Sequence, residues 1–169
     1  MSYRPPELYD PKHHDASQFD CGIQPLNSYL HRIAEWAQQT GDARIFVVAT
    51  ADHEVAGYYT LSAASVEFEH APLRLRKGAA RRPVPAILLG RLAVDHRHAG
   101  RGLGTGMLRD AMLRVAQAAD TVGIRALLVH AKNDEARDWY RAQAEFLPSP
   151  LSPLTLMLPL QDITSALPS

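Results

Sequence analysis

The chain carries a single cysteine, Cys21, in 169 residues. An internal disulfide is therefore excluded, and such cysteine usage suits a reducing compartment. No apolar run approaches the roughly 20 residues that a membrane-spanning helix needs. The start, Met1-Ser2-Tyr3-Arg4-Pro5-Pro6, lacks the apolar core of a secretion signal, so a cytoplasmic protein with no membrane partner is expected. Charge of one sign is not in excess either, because 18 Lys and Arg balance 18 Asp and Glu. A polyanionic partner must then be argued from local clusters. Internal repeats are lacking as well. The length suits one domain, read as residues 1–160 with a tail at 161–169.

Apolar periodicity supplies the elements that are present. Leu26, Tyr29, Leu30, Ile33 and Ala37 recur at helical steps and predict a helix that Gly41-Asp42 closes. Arg44 to Thr50 and Val55 to Phe68 read as a hairpin about the turn Ala51-Asp52-His53-Glu54. Ala86 to Val94 predicts a strand. A helix follows whose apolar stripe is Leu103, Met107, Ala111, Val115, Ala118 and Val122, with Gly123 ending it. Arg125 to Ala131 predicts a short buried strand. Asn133 is expected to cap a third helix that turns Ala136, Trp139 and Tyr140 inward, and Thr155 to Leu160 closes the chain as a strand. The order predicts an α/β (α+β) fold with a mixed, partly antiparallel central sheet flanked by helices.

The segment Arg97-His98-Ala99-Gly100-Arg101-Gly102-Leu103-Gly104-Thr105 lies between a buried strand and an amphipathic helix. Its glycines let a ligand approach the backbone, and amides at a helix N-terminus favour an anion such as a pyrophosphate. Arg97 and Arg101 are expected to add positive charge. A nucleotide P-loop would need a Lys after the glycines, and none follows. A dinucleotide Gly-x-Gly-x-x-Gly read from Gly100 would need glycine where Thr105 stands. A glycine-rich turn with no ligand stays open on spacing alone.

Arg97-x-x-Gly100-x-Gly102, preceded by Leu92-Ala93-Val94-Asp95, resembles the Arg/Gln-x-x-Gly-x-Gly/Ala signature of the GNAT acetyltransferases. The resemblance implies that the backbone from Ala99 to Thr105 holds the pyrophosphate of acetyl-CoA. It also implies that Leu92, Ala93 and Val94 meet the pantetheine arm and polarise the acetyl carbonyl. Tyr140 stands where such enzymes often place a tyrosine near the coenzyme sulfur, as a general acid for the leaving thiolate. Asn133 is either a coenzyme contact or only a cap. No metal is implied.

Two stretches point to a branch of that family. Phe19-Asp20-Cys21-Gly22-x-x-x-Leu26-Asn27-x-Tyr29-Leu30, and Phe146-Leu147-Pro148-Ser149-Pro150 with Leu154-Thr155-Leu156-Met157-Leu158, resemble the GNAT toxins of type II toxin–antitoxin modules. That resemblance implies acetylation of the α-amine of aminoacyl-tRNA, a block of translation, and a small ribbon–helix–helix antitoxin as partner. A homodimer is left open. An α-amine is roughly ten per cent neutral at pH 7, against about one in two thousand for a lysine, so it needs less help from a base. Arg74, Arg76, Lys77, Arg81, Arg82 and Arg91 are the cations expected to meet tRNA, with a solvated basic loop as the other reading. The remaining alternatives are a small-molecule amine or protein N-terminus as acceptor, and a non-catalytic acetyl-CoA-binding module. His13-His14 with Asp15 reads as a surface pair rather than a metal site, and Cys21 as a buried small residue.

Overall fold

The computed structural model describes residues 2–78 and 80–167. Met1, Ala79 within the expected basic stretch, and Pro168 and Ser169 of the expected tail lie outside the described residues. The strands β1 (Glu7–Leu8), β2 (Arg44–Ala49), β3 (Val55–Val66), β4 (Val84–Val94), β5 (Ala126–His130), β6 (Leu147–Ser149) and β7 (Ser152–Pro159) run in the order β1-β2-β3-β4-β5-β7-β6. β4 meets β5 in parallel, whereas β1–β2, β2–β3, β5–β7 and β6–β7 are antiparallel. The chain divides into two compact units, residues 1–62 with 90–110, and residues 63–89 with 111–169.

In the first unit, β1 (Glu7–Leu8) and β2 (Arg44–Ala49) pair antiparallel, and β2 pairs in turn with β3 (Val55–Val66). The predicted hairpin forms, with a register shift at Val48/Ala49 and His53 at φ 66° in its turn. The predicted first helix is interrupted. α1 (Gln24–Ser28) passes through a π-helical turn at Tyr29–Ile33 into α2 (Ala34–Thr40), which Gly41 ends at φ 87°. A π turn inserts one residue into the helical register. It brings Ala34 into the core and leaves Ile33 exposed, which corrects the expected stripe. Tyr29, Leu30, Ala34 and Ala37 pack on Ile45, Val47, Tyr58 and Ala93.

In the second unit, the first residues of β4 (Val84–Val94) pair parallel with β5 (Ala126–His130), and β5 pairs antiparallel with β7 (Ser152–Pro159). A short β6 (Leu147–Ser149) borders β7. α3 (Leu73–Arg76) is a single turn in the basic stretch, and its Leu75 is buried with Val84, Ala126 and Met157. α5 (Asp134–Gln143) begins where Asn133 accepts from the Ala136 N–H at 2.8 Å, the expected cap. β7 stops at Pro159, where the chain turns into α6 (Leu160–Ala166), a helix where the sequence predicts a strand end and a tail. Its Ile163 is fully buried.

α4 (Leu103–Ala118) buries Met107, Leu108, Ala111, Met112 and Val115. It stops at Ala118 rather than at Gly123, and Val122 is exposed. The expected stripe overran the helix because Val122 continued its spacing into a turn.

Candidate active site

The β4–β5 ladder runs from Ala86↔Ala126 to Leu89↔Val129. β4 continues from Gly90 to Val94 with no β5 partner among the described residues. Within this stretch Ala93 is buried under the N-terminal helices, and Leu92 and Val94 are half-buried. Backbone groups of a strand that lack a ladder partner are strong hydrogen-bonding groups for a ligand.

At the end of β4 the chain is pinned by Asp95. Its backbone N–H donates to the Ala56 carbonyl at 2.8 Å, and its fully buried carboxylate accepts from the Asp20 N–H at 2.9 Å and the Arg97 N–H at 2.8 Å. Burial alone would raise this carboxyl group, but the Arg97 guanidinium and the two amide donors outweigh it and hold it below the usual range. Gly57 on β3 leaves the room this requires. A Cβ there would stand 2.9 Å from Met107 Cε and 3.2 Å from the Ala93 carbonyl oxygen.

Arg97 therefore differs from its expected part. Its guanidinium binds Asp95, forms an ion pair with Glu54 and donates to the Gln18 carbonyl, so its charge is spent within the protein. Arg101 is exposed and has no ion pair among the described residues. His98 is buried, with Nδ1 2.8 Å from the Tyr3 hydroxyl. Beyond it Ala99, Gly100, Arg101 and Gly102 are exposed. Gly100 and Gly102 adopt φ 75° and 80°, and nothing lies within 4 Å of where a Cβ would stand. The first helical hydrogen bond of this turn runs from the Gly106 N–H to the Gly102 carbonyl at 3.0 Å. The amides at the start of a helix have no intrahelical acceptor, so those of Leu103 and Gly104 are available to an anion. Tyr59 of β3, fully buried, anchors α4 by donating 2.5 Å to Asp110.

Tyr140 is half-buried on α5, with its ring edge-on to Phe146 at 5.6 Å and to Trp139 at 4.9 Å. Its hydroxyl has no hydrogen-bond partner among the described residues. Burial pushes its pKa up to about 12, which makes it a proton donor throughout the neutral range.

The expected tRNA cations separate into kinds. Arg74 is paired with Asp162 at 2.8 Å. Arg76 donates to the Ala71 and Glu69 carbonyls and lies over the Phe68 ring, so it holds the loop together. Lys77, Arg81 and Arg82 are exposed and have no ion pair among the described residues. Arg91 lies in the first unit, over the ring of Tyr29 at 3.6 Å.

Other expectations change as well. His14 is buried, accepting from the Asp10 N–H at Nδ1 and meeting Glu7 at 2.8 Å, so the histidine pair is not a surface pair. Cys21 is half-buried against the first-unit core, its thiol donating to the Ile23 carbonyl. Among the described residues no three His, Cys, Asp or Glu side chains gather as a metal site. The spacing of the signature gives Asp95 no part of its own, and nothing in the sequence points to the roles of Glu54 and Asp20 or to the Tyr59–Asp110 bond. Their partners lie far apart in the chain, so only the position of Asp95 beside the glycine signature offered a signal.

Comparison with known proteins adds what geometry cannot. Residues 9–146 match the acetyltransferase (GNAT) family. A Mycobacterium tuberculosis protein named tRNA-acetylating toxin is 46% identical over 148 residues, covering 88% of this chain and 87% of its own. The structure of AtaT complexed with acetyl-methionyl-tRNAfMet superposes with a TM-score of 0.88 at 28% identity, over 97% of this chain and 98% of that one. A tyrosine-to-phenylalanine mutant of AtaT, bound to the C-terminus of the antitoxin AtaR and acetyl-CoA, has a TM-score of 0.81 at 28% identity, over 96% of each chain.

Proposed function

We propose, from the premise that this chain belongs to the acetyltransferase (GNAT) family, that it moves acetyl from acetyl-CoA to the α-amine of aminoacyl-tRNA and so acts as a translation-blocking toxin. The observation that carries the acceptor is the 46% identity, over most of both chains, to a tRNA-acetylating toxin. A small ribbon–helix–helix antitoxin is the partner this reading expects, and the AtaT–AtaR complex supports an antitoxin as partner. The site of action is the cytoplasm. Among the described residues no helix is long and apolar enough to cross a membrane.

The pyrophosphate rests on backbone amides from Ala99 to Thr105. The open space at Gly100 and Gly102 and the helix start beyond them support this. Arg97 serves the cofactor site by fixing the turn through Asp95, and Arg101 supplies the charge. The unpaired edge from Gly90 to Val94 supports pairing with the pantetheine amides, with the acetyl carbonyl polarised at Leu92 to Val94. Asn133 spends its side-chain oxygen on the cap and keeps only its amide nitrogen for the coenzyme. Lys77, Arg81 and Arg82 serve tRNA phosphates, whereas Arg74 and Arg76 shape the loop.

Transfer is direct. The neutral amine attacks the thioester carbonyl carbon, a C–N bond forms, and the C–S bond breaks. The departing thiolate takes the proton of the Tyr140 hydroxyl, the amine loses its extra proton to water, and Tyr140 is reprotonated from solvent. His14 and His98, the buried histidines, are both held in structural hydrogen bonds. The test is transfer of labelled acetyl from acetyl-CoA to total aminoacylated tRNA, with deacylated tRNA as control. Label on the aminoacyl group that is lost in Tyr140→Phe is the expected result. Absence of label, with coenzyme still bound, would move the acceptor to small amines or protein N-termini.

A further inference from the structure

Three arginines that are partly shielded from water are bonded to acceptors. Arg76 donates to two carbonyls, Arg125 donates to the Leu75 carbonyl at 2.7 Å, and Arg137 pairs with Asp134 and Asp138. Arg91 differs from these three. It is half-buried, it makes no hydrogen bond or ion pair among the described residues, and its contact is the face of Tyr29 at 3.6 Å.

That contact is built rather than incidental. Tyr29 is 6% exposed and opens the π-helical turn. It stacks on Tyr58 with the two rings 9° apart, and Tyr58 meets Phe19 edge-on. Tyr58 is fixed in turn by donating to the Leu26 carbonyl at 2.6 Å. A guanidinium laid on such a column loses freedom through cation–π contact yet keeps its donors unused. The Tyr29 hydroxyl also has no hydrogen-bond partner among the described residues, and burial raises its pKa, so it stays a donor. Two unspent donor groups on one platform call for a ligand rich in acceptors. Arg91 immediately precedes Leu92 on β4, so the platform adjoins the stretch assigned to the acetyl carbonyl.

We propose that Arg91, held on the ring of Tyr29, is the anchor for the phosphodiester that precedes the terminal adenosine of aminoacyl-tRNA, and that it selects an acceptor carrying a phosphate close to its amine. This rests on the proposed acceptor and deepens it. Selection works because a planar guanidinium takes two phosphate oxygens at once, and its fixed position removes the ordering cost. Lysine would keep the charge but lose both the fork and the stack.

The test uses a minimal pair of acceptors, 3′-aminoacyl adenosine and the same compound bearing a 5′-phosphate, alongside charged tRNA. In the unaltered protein the phosphate is expected to raise kcat/KM by roughly 10- to 100-fold, the worth of one charge-assisted contact. In Arg91→Met that gain is expected to vanish, in Arg91→Lys to fall between, and the salt slope on tRNA to drop by about one. Acetyl-CoA binding and melting temperature report whether each variant is folded. Equal losses on both acceptors, or an undiminished phosphate gain in Arg91→Met, would overturn the anchor while leaving tRNA acetylation standing. Failure of the unaltered protein on charged tRNA would overturn both.

Discussion

The Arg97 guanidinium folds back onto the carboxylate two residues before it, with Nε 3.0 Å from Asp95 Oδ1 and Nη2 3.2 Å from Oδ2. The most recognisable cation of the sequence signature thus serves the protein's own backbone geometry.

Asp95→Asn keeps the shape but leaves Arg97 without its buried counter-charge. Arg97 is partly solvated, so a loss of about 2 kcal/mol is expected, read by denaturant melting. The Asp95 carboxyl is held below its unfolded value, so its contribution is complete above the unfolded carboxylate pKa and is lost as pH falls through the folded one. Stability of the wild type should fall more steeply than that of Asp95→Asn as pH drops below about 4. Parallel curves would contradict the linkage.

Tyr140→Phe should lower kcat by about 10²- to 10⁴-fold while the Kd for acetyl-CoA changes little. With its pKa near 12, Tyr140 should impose no basic limb on the rate profile up to about pH 10. Its raised pKa contributes stability below the unfolded tyrosine value that is lost only as pH rises toward the folded one. A loss of coenzyme affinity as large as the loss in turnover would assign the residue to binding instead.

Gly102→Ala places a side chain at φ 80°, where open space removes any clash but backbone strain of about 1–2 kcal/mol remains. The turn should relax toward negative φ and weaken acetyl-CoA binding about tenfold. Calorimetric titration measures this, and unchanged affinity would show that the amides of this turn do not hold the coenzyme.

Replacing Lys77, Arg81 and Arg82 together by Ala should flatten the salt dependence of tRNA acetylation by about one unit per lost phosphate contact. Arg74→Ala, which breaks a partly exposed pair with Asp162, should cost about 1 kcal/mol and leave that slope unchanged. If Arg74 carried the slope instead, the division of the basic loop would be wrong.

Alternation and helical spacing alone determined the hairpin, β4, β5, α5 and its Asn133 cap, because those signals are local. The glycines at 100 and 102 announced the exposed turn for the same reason: a positive φ is a property of one residue. The π turn at Tyr29–Ile33, the stop of α4 at Ala118 and the helix α6 were decided by packing, which overrides spacing wherever a residue finds or loses a buried partner. Charge was the least legible of all. A list of arginines does not say that Arg97 is spent on Asp95 and Glu54, Arg74 on Asp162, and Arg91 only on a tyrosine ring. The worth of a charge depends on what lies within a few ångströms of it, and only the tertiary structure sets that.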